Sequence, residues 1–115
     1  MADEQKYQLV LSSFAEQAYF DALVYVFEHY ELKRANEITL ALLAFPEILK
    51  TFPHIGSIES YLIDRSQEFR FLVFERANLK SIKIVYYIDE DAKTVYITDF
   101  FPCEMSESKI KNRTK

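Results

Sequence analysis

The chain is poor in the residues that several common functions require. It holds a single glycine, Gly56. A phosphate-cradling loop needs several positions that tolerate close backbone approach, so that class of nucleotide site is excluded. Cys103 is the only cysteine. This rules out an intramolecular disulfide and a cysteine-based metal cluster, and it suits a reducing compartment. The two histidines, His29 and His54, are far apart and lack metal-ligand spacing. No metal and no cofactor are expected. No apolar run approaches the roughly 20 residues that span a bilayer. The start, Met1-Ala2-Asp3-Glu4-Gln5-Lys6, has no apolar signal core. The expectation is a cytoplasmic protein with no membrane association. A basic surplus is missing too. The formal net charge is −4, which argues against tight, unaided nucleic-acid binding, since phosphate contacts dominate that affinity.

What the chain does hold is apolar and aromatic bulk. Its 115 residues predict one domain, and 50% hydrophobic content with 10 Phe and 8 Tyr supplies a core. Tyr7–Leu11 reads as a short strand. Ser13-Phe14-Ala15-Glu16 reads as a capping box opening a helix over Phe14–Tyr30. Phe14, Ala18, Ala22, Val26 and Tyr30 form its apolar stripe, with Ala15, Tyr19, Leu23 and Phe27 beside them. A second helix runs from Lys33 into the fifties, with Ala35, Ile38, Leu42, Phe45, Leu49 and Phe52 on one side. Pro46 predicts a kink or a new start within it. The helix should end before Pro53, with Gly56 in the following turn, and Gly56–Ser60 reads as a polar loop. The short linker predicts an antiparallel hairpin.

Three strands follow, at Phe69–Glu75, Ser81–Ile88 and Thr94–Phe101. Alternation sets Phe69, Phe71 and Val73 against Arg70, Leu72 and Phe74. It sets Ile82, Ile84, Tyr86 and Ile88 against Lys83, Val85 and Tyr87, and Val95, Ile97 and Asp99 against Tyr96, Thr98 and Phe100. Asp89–Lys93 is a polar turn closing a hairpin. The fold class is therefore α+β: an N-terminal strand, an antiparallel helical hairpin, then a three-stranded antiparallel meander packed on it. Residues 1–105 read as a single domain and 106–115 as a basic, mobile tail, which could order as a short helix on a partner.

With these residues in that order, the chain resembles the RelE/ParE superfamily, the toxin halves of type II toxin–antitoxin (plasmid stabilisation) pairs. Leu49-Lys50-Thr51-Phe52-Pro53-His54-Ile55-Gly56 is similar to the family's L-x-x-F-P-x-x-G turn. Phe69-Arg70-Phe71-Leu72 is similar to its aromatic-Arg strand, and Ile82–Asp89 to its Y-R-I-x-Y-x-V-D strand. Thr94–Phe101 resembles the last strand. The resemblance runs from Tyr7 to about Met105. It implies a toxin neutralised by a cognate antitoxin that drapes over the hairpin and the sheet. A homodimer or a toxin–antitoxin hetero-oligomer would fit that pairing.

The chain departs from the family pattern at the positions that bear on activity. Lys83 stands where the family has Arg in the middle strand and lacks the bidentate fork. In the F-H-x-R or F-D-x-R run that follows the last strand, Pro102 replaces the polar residue and Glu104 the Arg. A carboxylate there opposes an anionic phosphoryl transition state. Among the mechanisms the resemblance implies, inhibition of DNA gyrase by protein contact is preferred over mRNA cleavage on the ribosome. A third reading is a non-toxic module that keeps the fold and acts as a binding protein or corepressor.

Arg70, Lys83 and Tyr87 are the candidate catalytic or phosphate-gripping cluster on an exposed sheet face. The plainer reading of them is ordinary surface alternation on a half-buried antiparallel sheet. Phe20, Tyr25, Phe101 and Glu104 are the candidate partner-binding residues. Phe20 and Tyr25 lie off the helix stripe, and exposed aromatics mark protein–protein surfaces. A Cys103–His dyad and a cation site at Asp89–Asp91 are weaker candidates, with a buried thiol and a solvated turn as their ordinary counterparts.

Overall fold

The computed structural model describes residues 6–76 and 79–114. Met1–Gln5, most of the segment read for a signal core, and Lys115 of the basic tail lie outside them. The element order is β1 (Gln8–Leu11), α1 (Ser13–His29), α2 (Leu32–Ala44), β2 (Ser57–Ile58), β3 (Arg70–Arg76), β4 (Leu79–Asp89), β5 (Thr94–Pro102) and α3 (Ile110–Arg113). Short 3-10 turns lie at Phe45–Lys50, Pro53–Ile55, Ser60–Leu62 and Glu107–Lys109.

The chain leaves β1 and enters α1 through Ser12, not Ser13. Ser12 keeps an extended backbone, and its Oγ accepts the Ala15 N–H at 3.0 Å. This satisfies one of the donors that a helix start leaves over, and Ser13 is already helical. Ala15, Ala18 and Val26 of α1 are buried, whereas Phe14 and Phe27, assigned to the stripe, are 45% and 43% exposed. The buried strip is thus narrower than the apolar pattern.

In α2, Ala35, Ile38 and Leu42 are fully buried. The regular helix ends at Ala44, and Pro46 sits in the first turn of the 3-10 segment, where its missing N–H costs little. The tighter winding changes the phase of the stripe. Leu49 stays buried, but Phe52 turns out to 59% exposure.

The sheet is a five-stranded mixed sheet in the order β1-β5-β4-β3-β2, not a three-stranded meander alone. β3, β4 and β5 pair antiparallel in sequence, while β1 adds parallel to β5, with Leu9 opposite Val95. β2, expected as loop, pairs antiparallel with β3 through Ser57–Phe71 and Ile58–Arg70.

One bulge decides which residues share a face. Val85 pairs with Asp99 but Tyr86 pairs with Ile97, so Thr98 is the extra residue. Beyond it the alternation of β5 inverts. Val95, Ile97 and Phe100 join the core under α1 and α2, and Phe101 joins a second core on the opposite face. The expectation that Asp99 shares a face with Val95, and Phe100 the other, is corrected by this single insertion.

Both sheet faces are covered. The first core includes Ile38, Leu42, Leu49, Phe74, Ile84 and Tyr86. The second comprises Leu62, Phe69, Val85, Phe101 and Ile110. Its cover comes from the Ser60–Leu62 turn and from residues 107–114, which fold back as a 3-10 turn and α3 with Ile110 fully buried. Among the described residues no helix is long and apolar enough to cross a membrane.

Candidate functional site

The three candidate catalytic residues do not meet on an open face. Pairing sets Arg70 opposite Tyr86 and Phe71 opposite Val85. Arg70 therefore belongs to the Tyr86 side of the sheet, and Lys83 and Tyr87 to the other. Arg70 Nη1 donates to the carbonyls of Gly56 (2.8 Å) and His54 (3.2 Å), and its Nη2 pairs with Glu68 at 2.8 Å. Its Nε has no partner among the described residues. The guanidinium thus clamps the turn at residues 54–56.

That turn is also held from within. The buried Tyr86 hydroxyl donates to Pro53 O at 2.7 Å and accepts the Gly56 N–H at 3.0 Å. Gly56 has ordinary backbone angles, φ −73° and ψ 160°. What it provides is room, because an added Cβ would collide with the Tyr86 hydroxyl and come within 2.7 Å of Phe71 O. Burial pushes the Tyr86 phenol up, and the Gly56 amide and the Arg70 charge oppose that rise.

Lys83 is 5% exposed. Its Nζ donates to Glu59 Oε1 at 2.8 Å and to Glu107 Oε2 at 3.1 Å, and lies 4.2 Å from the centre of the Phe71 ring. Burial alone would lower its pKa. The hydrogen bonds and charges of the two carboxylates outweigh burial, and the net direction is upward. Glu59 is itself 1% exposed and also accepts from Tyr61 N. Tyr87 is half-buried between the rings of Phe69 and Tyr96, each centred 5.3 Å away. Lys83 and Tyr87 are thus components of a covered face, not of an open sheet surface.

The bulge at Thr98 turns Asp99 toward the C-terminal segment. Its carboxylate, fully buried, receives two bonds from Arg113, 2.8 Å from Nε and 2.6 Å from Nη2. This is a bidentate geometry in which planar guanidinium matches planar carboxylate. The guanidinium also lies over the rings of Phe14 and Phe101. Phe101, a candidate partner-binding residue, is fully buried beneath it and offers no contact surface.

Of the other partner candidates, Phe20 is 58% exposed on the outside of α1. Val24 and Phe27 are exposed with it at helical spacing, as are Leu40 and Leu43 of α2. Tyr25 and Glu104 instead come together in a cleft of ≈ 180 Å³ between α1 and the adjoining ends of β4 and β5. Ala18, Ala22, Val26, Ile82 and Phe100 give it an apolar floor, and Asp21, Met105 and Arg113 complete it. Tyr25 stacks on His29 with ring centres 4.0 Å apart.

The remaining candidates are dispersed. His29 Nδ1 lies 2.8 Å from Tyr25 O, and His54 pairs with Glu90 at 2.7 Å. Cys103 is partly exposed, and burial pushes its thiol up, the wrong direction for a nucleophile. Among the described residues no three His, Cys, Asp or Glu side chains group as metal ligands would. Sequence reasoning missed Asp21, Glu59, Asp99 and Arg113. Asp21 lies outside the apolar stripe of α1, Glu59 falls within the expected loop and Arg113 within the expected tail. The bulge that aims Asp99 has no signal in the sequence.

The chain matches no protein-family model and no curated protein.

Proposed function

We propose that this protein is a toxin-type module of the RelE/ParE kind, neutralised by a cognate antitoxin, that acts by protein contact on a target such as DNA gyrase and not by cleaving mRNA. The family part of this reading rests on the order and spacing of the motifs from Leu49 to Phe101. The contact part rests chiefly on one observation, the pairing of Lys83 with Glu59 and Glu107. A cation already matched by two carboxylates is poorly placed to stabilise an anionic transition state. Arg70 is occupied by backbone carbonyls and Glu68 on the other side of the sheet. Meanwhile the exposed Phe20, Val24, Phe27, Leu40 and Leu43 supply the apolar surface that protein partners use.

Tightly controlled induction of the chain alone in bacteria tests this. The expected result is growth arrest with loss of plasmid supercoiling and intact mRNA. Arrest with mRNA cut at the ribosomal A site would replace contact by nuclease activity. Unimpaired growth with soluble protein would leave the non-toxic binding module, which Pro102 and Glu104 favour as replacements of the family's polar and Arg positions.

A further inference from the structure

The cleft beside α1 has a chemistry of its own. Ala18 and Ala22 lie one helical turn apart, and their short side chains leave room that Val26, Ile82 and Phe100 bound from below. At ≈ 180 Å³ it is smaller than the roughly 300 Å³ at which sites for cofactors and drug-sized ligands begin. It suits one long side chain. Its polar lining includes the carboxylate of Asp21 on α1. The bond shown for Asp21 comes from the neutral amide of Gln17, 2.9 Å away, so that bond leaves its charge unmatched. Arg113 also lines the cleft, but its charge is matched by Asp99. Tyr25 adds an aromatic wall.

An apolar floor, a carboxylate at the mouth and an aromatic side fit a long stem that ends in a cation. We propose that this cleft is an anchor pocket for an arginine side chain presented by a partner protein. The aliphatic stem lies over Ala18, Ala22 and Phe100, and the guanidinium reaches Asp21 and the ring of Tyr25. Arginine is preferred to lysine because its planar head both stacks and forks, and arginine is enriched among residues that dominate interfaces. The inference rests on the contact reading above only in taking the ligand to be part of a protein.

The test is an NMR titration of the ¹⁵N-labelled full chain with N-acetyl-arginine amide, at matched ionic strength because exposed charges are screened. N-acetyl-norleucine amide and N-acetyl-glutamate amide serve as controls. The expected result is saturable shifts at the amides of Ala18, Ala22, Tyr25, Ser81 and Met105 with the arginine compound, weaker shifts with norleucine and none with glutamate. Asp21→Asn, which keeps the hydrogen bond from Gln17, should weaken arginine binding about two- to fivefold, the range of an exposed ion pair. Ala22→Leu, which fills the cleft, should abolish it, and either variant suffices if the other fails to fold. Absent saturation at these amides, equal binding of norleucine, or undiminished binding to a folded variant would overturn the pocket. Arginine binding without growth arrest on induction would retain the pocket and remove the toxin reading. Growth arrest without arginine binding would do the reverse.

Discussion

Lys83 and Glu59 meet at 2.8 Å across the covered face of the sheet, with side chains only 6% and 1% exposed. Removing one partner from such a pair leaves a buried charge without compensation, whereas replacing both by apolar groups of similar volume is often neutral or stabilising. Lys83→Met alone is therefore expected to cost about 3–5 kcal/mol. The pair Lys83→Met/Glu59→Leu should recover most of that loss, since Glu107 is half exposed and can turn to water. Urea denaturation of the two single variants and the pair, read as a double-mutant cycle, checks this.

Asp99 and Arg113 should behave alike at the other end of the same face. Arg113→Ala leaves the fully buried Asp99 carboxylate without its bidentate partner, and a loss of about 3–5 kcal/mol is expected. Asp99→Asn, which removes the buried charge as well, should cost less. Near-equal stability of Arg113→Ala and wild type in thermal unfolding would mean that α3 does not hold this face.

The turn at residues 53–56 depends on one hydroxyl and one missing methyl. Tyr86→Phe strands the Gly56 N–H and the Pro53 carbonyl, at a cost of about 1–3 kcal/mol. Gly56→Ala sets a Cβ against the same hydroxyl and against Phe71 O. In Tyr86→Phe the hydroxyl half of that collision is gone. The two substitutions together should therefore be less harmful than their separate losses added, which denaturant unfolding can measure.

Two groups set opposite pH dependences. Glu90 is held below the usual carboxylate value, first by the hydrogen bond from Tyr7, which burial opposes, and then by His54 and Lys93. A lowered folded pKa stabilises above the ordinary glutamate value and loses that stabilisation as pH falls through the folded value. Its effect is small because the site is exposed and screened. The Lys83 amine lies above the ordinary lysine value, so its pairing is fully present below that value and is lost as pH rises through the folded one. NMR titration of the Glu90 side-chain carboxyl should show its midpoint rising in Tyr7→Phe. Alkaline unfolding should come earlier in Glu59→Gln than in wild type.

The long elements were legible in the sequence because their signals are local. The three long strands carry uninterrupted apolar alternation, and Pro46 stops the regular helix near where its chemistry demands. The pairing of β1 with β5 was not legible, because it depends on a partner distant in sequence. Nothing around Thr98 announces the bulge, yet it sends Phe100 to one core and Asp99 and Phe101 to the other. Residues 106–115 read as a solvated tail since they are mostly polar. Ile110, Arg113 and Glu107 attach the segment to the sheet. Lys83 and Tyr87 were read as open surface because the cover over their face comes from residues 59–62 and 107–114, which lack a strong pattern of their own.

The central claim, that Lys83 serves the fold and that inhibition works by contact, is tested most directly by comparing growth after induction of wild type and of Lys83→Met/Glu59→Leu at matched soluble levels. The account predicts growth arrest by wild type and the same arrest by the double variant, which has no amine at position 83. A double variant that folds with native stability and no longer arrests growth would contradict it and make the amine part of the chemistry.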